Sequence, residues 1–423
     1  MGLWINFGAT YLRFMDNKYP DISFDNTEFA FEYKSDKDLK KAHFLFTMMG
    51  KPWLVKIGTR LAPWAINMGL PVKGMIRNTI FSQFCGGESL EKTVGVAQML
   101  AKYNVKIILD YGVEGKEGEA NFDQASDVFI KVIDYAATQP NIPFMSVKVT
   151  GFARHALLEK IDSMMKAGEG SLNNRFEKAL YDLVPEERSE WDRIHHRVNR
   201  VCAAAAAKSI GVSIDAEETW IQDPVDMLTI LMMEKYNKEK PIVYNTLQHY
   251  RHDRLKFLED SYNAAVAHNF ILGSKLVRGA YMERERRRAA EKGYPSPIQP
   301  DKESTDRDFN AGVKFCIDHI DRVALVVASH NEYSNFYATQ LLKEKGLPLS
   351  HPYAHWSQLY GMSDNITFNL AHAGCSVSKY LPFGPIKDVI PYLMRRAQEN
   401  TSVKGQTGRE LGLIDRELKR RKL

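Results

Sequence analysis

Cysteine is scarce in this 423-residue chain: Cys85, Cys202, Cys316 and Cys375 are scattered, with no Cys-x-x-Cys pair. That pattern fits neither a zinc site nor a disulfide framework and points to a reducing compartment. Long apolar runs are missing as well, so no segment reads as a bilayer span. Excess charge of one sign is small, 57 basic against 52 acidic side chains for a net +5. With no basic stripe interleaved with stacking aromatics, nucleic acid is excluded as the expected partner. The chain lacks a Gly-x-Gly-x-x-Gly after its first strand-like run, which removes a dinucleotide held by a Rossmann fingerprint. It also lacks a His-Glu-x-x-His or a carboxylate cluster, and the adjacent His195 and His196 point to different sides of a helix, so no metal is expected. The start shows no basic-then-apolar leader, and Asp16, Asp21, Asp25, Glu28 and Glu32 are unlike an acid-poor transit peptide. The expected location is cytoplasmic.

What is present is ordinary globular material, 44% hydrophobic and 26% charged, enough for a large catalytic domain and a smaller appendage. From Lys106 onward, short runs rich in Val, Ile and Leu alternate with longer stretches of helical period. Eight such runs begin near Lys106, Phe144, Gly211, Pro241, Ser274, Ala324, His355 and Ser376, the seventh carrying the least apolar signal. Their pattern predicts an α/β fold, a (β/α)8 TIM-type barrel, in preference to an open doubly wound sheet. Polar side chains decide between the two. Asp110, Lys148, Asp215, Gln248, Arg278, His330 and Tyr380 all fall at the carboxyl ends of these runs, and in a barrel those ends converge on the face where chemistry is done. The expected division is an N-terminal helical region over 1–100, the barrel over 101–406 and a helical tail over 407–423. An insertion between Gly151 and Ile210 exceeds one crossover helix.

Within the first hundred residues, Lys51 to Phe81 mixes Trp, Ile and Leu with Lys51, Lys56, Arg60, Lys73 and Arg77, and no acid interrupts it. Such a basic amphipathic stretch suits peripheral contact with a membrane. The same stretch also reads as a helix pair packed on the barrel, with Pro52, Pro63 and Pro71 as helix breaks.

Near the end of the barrel, Tyr392, Arg395, Arg396 and Glu399 fall on one side of a helix. Two forked cations beside an aromatic ring suit a small carboxylate, because a guanidinium gives bidentate hydrogen bonds that an ammonium cannot. The same spacing also describes a solvated, salt-bridged face. Further support comes from Arg278 and Tyr281, which bracket Gly279 at the end of the fifth run, where a glycine permits close backbone approach to a ligand. His330 closes the sixth run and could hydrogen-bond a cofactor, act as a base, or be a satisfied core histidine.

In order, the strand-end motifs are LDYGVEG, SVKVTG, SIDAEE, NTLQHY, KLVRGAY, ASHN, KYLPFGP and PYLMRRAQEN. Over roughly 105–406 this series resembles the proline dehydrogenase family. The resemblance implies a distorted barrel that holds FAD noncovalently and stacks L-proline against it. Carried over by position, Lys148, Arg395 and Arg396 would hold the proline carboxylate. Leu359, Tyr281, Tyr380 and Tyr392 would wall its ring, and Asp215 would orient the cations. Glu114 would pair with Arg395 as a gate. Gln248, Lys275, Val277, Arg278, Gly279, His330 and Glu399 match FAD-contacting positions, whereas the stretch from Tyr294 to Thr305 departs from the bacterial bifunctional pattern. The implied activity is oxidation of proline to 1-pyrroline-5-carboxylate with electrons passed to a quinone. The acceptor would give the basic stretch a role at the inner membrane.

Two competitors are weighed against this. In a hydroxyproline dehydrogenase the position of Tyr380 resembles a small residue, so Tyr380 favours proline. A barrel scaffold without catalysis would have no need of the full cationic set.

Overall fold

Short runs of Val, Ile and Leu alternate their side chains between two faces, and such a strand is stable only when both faces are covered. The computed structural model, which describes residues 21–68, 71–112, 117–402 and 406–423, shows how this is met. Its strands are β1 (Lys106–Tyr111), β2 (Phe144–Val147), β3 (Gly211–Ile214), β4 (Val243–Gln248), β5 (Leu272–Val277), β6 (Val323–Ala328), β7 (Ala354–Leu359) and β8 (Val377–Phe383). They form one closed parallel barrel in sequential order, with β8 returning to pair with β1. All eight runs expected from the sequence are strands, including the polar one at His355.

The two faces are visible as two apolar clusters. Ile107, Leu109, Val212, Ile214, Leu325 and Val327 join the large core under the surrounding helices. Tyr244, Ala324 and Val326, with Phe144 against them, form a separate small cluster on the other face. Phe144 meets Tyr244 and His355 edge-on, with ring centres 5.3 and 5.0 Å apart. Gly211 makes this plug possible, since a Cβ there would lie 2.2 Å from the Phe144 ring. Filling the amino-terminal end of the barrel with rings leaves the polar strand ends gathered at the opposite mouth.

The helix Ile386–Ser402, which carries the two arginines, packs into a second core with Phe31, Leu39, Phe46, Phe84, Leu413 and Ile414. Those partners come from the helices Thr27–Phe31, Asp36–Met49 and Ser82–Phe84 and from the helix Gln406–Arg420. Arg421 ties the two ends together, donating to the carbonyls of Phe31 (2.7 Å) and Lys34 (2.8 Å). Ile22 and Phe24 reach the main barrel core. The helix Pro52–Asn67 runs through Pro63, so this proline does not break it as expected. Pro52 stands at the helix start, where its missing N–H costs nothing, and one interior proline removes a single backbone donor. The insertion after β2 forms the helices His155–Ala167, Leu172–Tyr181 and Pro185–Lys208. No described helix is long and apolar enough to cross a membrane.

Candidate active site

Asp215, just past β3, is the centre of the barrel mouth. Its carboxylate pairs with the Lys275 ammonium, accepts from Ser146 Oγ at 2.6 Å and from Tyr380 Oη at 2.7 Å, and lies 3.9 Å from Lys148 Nζ. Lys148 is also 3.9 Å from Asp110. Burial pushes the Asp215 carboxyl up, but the Lys275 and Lys148 ammoniums, with the hydrogen bonds from Lys275 and Ser146, outweigh it and hold it at about 2. It is therefore a permanent anion that fixes two cations and a phenol from three other strand ends. Lys275 Nζ also sits 5.6 Å from the Tyr380 ring centre.

Across the mouth, the Arg395 guanidinium stands 5.7 Å from the Tyr281 ring centre and that of Arg396 stands 5.1 Å from the Tyr392 ring centre. Tyr281 is buried, and both Arg395 and Lys148 act electrostatically on its hydroxyl. The lysine just past β2 and the arginine helix thus both lie within electrostatic reach of Tyr281. Arg396 is bonded to Glu399 at 2.6 Å along the helix. Tyr392 is buried beside Arg396, and its hydroxyl finds no hydrogen-bond partner among the described residues. Leu359, the last residue of β7, lies in register with Tyr380 and packs on the second core. Glu114 lies outside the described residues.

The ends of β4, β5 and β6 supply the remaining candidates. Gln248 donates to the Glu217 carbonyl at 2.7 Å and accepts from Ala280 N at 3.1 Å, so its amide plane is fixed. Val277 ends β5 and accepts from His249 N at 2.9 Å. Arg278 donates to Asp306 (2.6 Å), Ser329 (2.6 Å) and Ser334 (2.9 Å) and covers the Phe309 ring at 4.4 Å. Gly279 has φ +142°, and a Cβ there would strike the Tyr250 ring at 2.4 Å. The missing side chain makes room for Tyr250, where the sequence suggested room for a ligand. His330 Nδ1 is 2.9 Å from Ser363 Oγ; burial, then Lys379, Arg396 and Arg278, hold the ring at about 3. At neutral pH it is an uncharged hydrogen-bonding group and a weak base.

Two groups in this mouth and one behind it carry no assignment from the sequence. Ser146 is two residues before Lys148 and therefore on the same face of its strand, a signal that was there to be used. Glu217 is two residues after Asp215; it is buried, and its carboxylate accepts from Thr150 Oγ1 at 2.8 and 2.9 Å. The third, Lys379, lies on the opposite face of β8 from Tyr380. It is fully buried, pairs with Asp364 at 2.8 Å and donates to the Met362 carbonyl at 2.6 Å.

Comparison with known proteins gives these side chains a context. A model of the proline dehydrogenase family matches residues 94–409. The chain belongs to the proline dehydrogenase family. It is an oxidoreductase of that family. It is 30% identical over 384 residues to proline dehydrogenase 1 of Dictyostelium discoideum, covering 84% of this chain and 67% of the relative. It is 31% identical over 427 residues to a hydroxyproline dehydrogenase of Xenopus laevis, covering 93% and 89%. It is also 33% identical over 350 residues to the carbapenem biosynthesis protein CarD of Pectobacterium carotovorum, covering 82% and 86%. Among solved structures, proline utilization A from Bdellovibrio bacteriovorus superposes with a TM-score of 0.66 at 17% identity. That match covers 90% of this chain but 36% of the other, so the chain spans about a third of that protein. It supports the barrel fold.

Proposed function

We propose that this chain oxidises L-proline to 1-pyrroline-5-carboxylate with a noncovalently held FAD and a quinone as electron acceptor. The observation that carries the reading is the mouth itself, where Arg395 lies over the Tyr281 ring, Arg396 lies over Tyr392, and Lys148 stands within electrostatic reach of Tyr281. Three cations so placed can grip one carboxylate, and charge-assisted bonds to a guanidinium fix its plane. Tyr281, Tyr380, Tyr392 and Leu359 then hold the ring edge, which orients the carbon next to nitrogen. The orphaned hydroxyl of Tyr392 is a polar group that a ligand would satisfy.

The donor set at β4 to β6 fits a flavin: a fixed amide, a neutral imidazole and two cations at adjacent strand ends. Gln248, Lys275, Val277, Arg278, Gly279, His330 and Glu399 would hold FAD, with Lys275 the charge able to tune it. Hydride acceptance is the chemistry FAD would supply. The protein's own part is to bind the carboxylate, pack the ring, exclude water and let the amine proton leave.

Hydroxyproline is the second reading, favoured by the 31% identity to the Xenopus enzyme. Against it stands Tyr380, whose hydroxyl is committed to Asp215 at 2.7 Å and which stands where the resemblance implies a small residue in hydroxyproline enzymes.

Contact with a membrane, where a quinone would be met, is supported by the helix Pro52–Asn67. It exposes Trp53, Ile57 and Leu61 at successive turns, 61%, 49% and 54% accessible, with Lys56 and Arg60 beside them. An apolar stripe edged with cations suits an anionic lipid surface. Purified protein should show flavin absorbance and proline-dependent dye reduction. Colourless protein that takes up no FAD and reduces no dye with proline would overturn the proposal.

A further inference from the structure

Hydride loss from the carbon beside a ring nitrogen needs the nitrogen lone pair, so somewhere in the site charge must be rebalanced as substrate binds. The groups able to do this near neutral pH are few. Asp215 is held down at about 2 and His330 at about 3, and burial pushes the hydroxyls of Tyr281 and Tyr380 far above neutrality. Glu217 is different. It is buried at the mouth in the turn after β3, and its carboxylate is held by Thr150, two residues beyond Lys148.

Every neighbouring element contributes to its surroundings. From the turn after β2 come the Thr150 hydroxyl and amide, at 2.8–2.9 and 3.4 Å, and the charge of Lys148. From its own turn comes Glu218, paired with Arg284 of the helix Met282–Lys292. Tyr281 lies within electrostatic reach from the loop after β5, with Arg395 over its ring. The backbone is pinned on both sides, Glu217 N donating to Gln222 Oε1 at 2.8 Å and Glu217 O accepting from Gln248 Nε2 at 2.7 Å. Lys148 is the strongest charge acting on this carboxyl, and Lys148 already lies 3.9 Å from both Asp110 and Asp215.

We propose that Glu217 is a positioning residue that acts through Lys148: when Glu217 holds a proton, its pull on Lys148 is removed, and the ammonium beside Asp110 and Asp215 is eased toward the substrate carboxylate. This rests on the function proposed above. Burial pushes the Glu217 carboxyl up to about 7 against the pull of Lys148 and Thr150, so the neutral and charged forms both exist at working pH. A substrate anion arriving beside Lys148 repels the charged form, and binding therefore takes up a proton at Glu217.

The probe is cyclopentanecarboxylate, which has the ring and carboxylate of proline but no amine to titrate. Calorimetry on the flavin-loaded protein, in buffers of different ionisation enthalpy, reads both affinity and proton uptake. The parent should bind about five- to tenfold more weakly at about pH 8 than at about pH 6 and take up a proton on binding at the higher pH. Glu217→Gln should bind with one affinity across that range and take up none. Thr150→Val removes a donor that favours the charged form, so it should move the parent's transition to higher pH. Uptake that persists in Glu217→Gln, a transition unmoved in Thr150→Val, or a parent whose affinity ignores pH while it still oxidises proline would overturn this inference and leave the proposed function standing. A parent that neither binds the probe nor oxidises proline overturns both.

Discussion

Replacing Asp215 by Asn isolates the charge at the centre of the mouth, because the amide keeps the volume and can still accept from Tyr380. The native carboxyl is held from its ordinary 3.8 down to about 2, which corresponds to roughly 2.5 kcal/mol of preference for the charged form in the folded state. The sign follows from the depression: this stabilisation is present above about pH 4 and is lost as the pH falls through about 2. At neutral pH all of it is in play. The substitution also leaves the Lys275 ammonium, only 6% accessible, without its partner, and removing one member of a buried pair typically costs about 3 to 5 kcal/mol. Both routes converge on about 3 kcal/mol, to be read from urea unfolding followed by circular dichroism at neutral pH. The variant Lys275→Met alone should also destabilise, whereas the double variant should recover much of the loss, with a coupling of about 2 kcal/mol. Proline turnover should fall together with stability, since the same carboxylate places Lys148 and Tyr380. An Asn variant whose unfolding free energy stays within about 0.5 kcal/mol of the parent would refute the idea that Asp215 is the counter-ion of the site.

Three further outcomes follow from other contacts. Arg395→Ala and Arg396→Ala each remove charge-assisted bonds of about 1.5 to 3 kcal/mol, so KM for proline should rise about tenfold to a hundredfold; an unchanged KM in both would end the carboxylate role. Tyr380→Ser should narrow the ratio of kcat/KM for proline over that for 4-hydroxyproline by opening space at the ring, and an unchanged ratio would remove Tyr380 as the discriminating residue. Glu410 accepts from Ser363 N, and burial, with Asp364 nearby, pushes its carboxyl up to about 7. Because the folded state favours its neutral form, stability is fully present below about pH 4.5 and declines as the pH rises through about 7. Glu410→Gln should therefore flatten the difference in unfolding free energy between about pH 5.5 and about pH 8 by about 2 kcal/mol, and a difference equal to the parent's would count against it.

Much of this molecule could be read from its sequence because two periods carry it. Strand alternation places Ile107 and Leu109 in the outer core while Asp110 turns to the mouth, and helical spacing places Tyr392, Arg395, Arg396 and Glu399 on one face. These are local signals, and the structure sets Asp110 beside Lys148 and Arg395 over Tyr281. What escaped reading depends on partners far away in the chain. At Gly279 the ring that a Cβ would strike, Tyr250, comes from the end of the preceding strand, which no local pattern announces. Arg278 is readable as a strand-end cation, but its partners Asp306, Ser329 and Ser334 come from two later helices and a strand end. Lys379 could be seen as a strand residue but not as a buried cation, since its counter-ion Asp364 is steadied by Tyr33 from the opposite terminus.

Such distant closure has a consequence for the site. The arginine helix rests on a core built from both ends of the chain, and Glu410 of the last helix bonds the backbone of Ser363, whose hydroxyl meets His330. A barrel shortened before Gln406 would keep its eight strands but lose Leu413 and Ile414 from beneath Tyr392 and Leu393. The cationic pair would then sit on a half-covered helix, and geometry within a fraction of an ångström is what a carboxylate grip demands. The terminal helices therefore belong to the site in the physical sense: they touch no reacting atom, but they set where Arg395 and Arg396 stand.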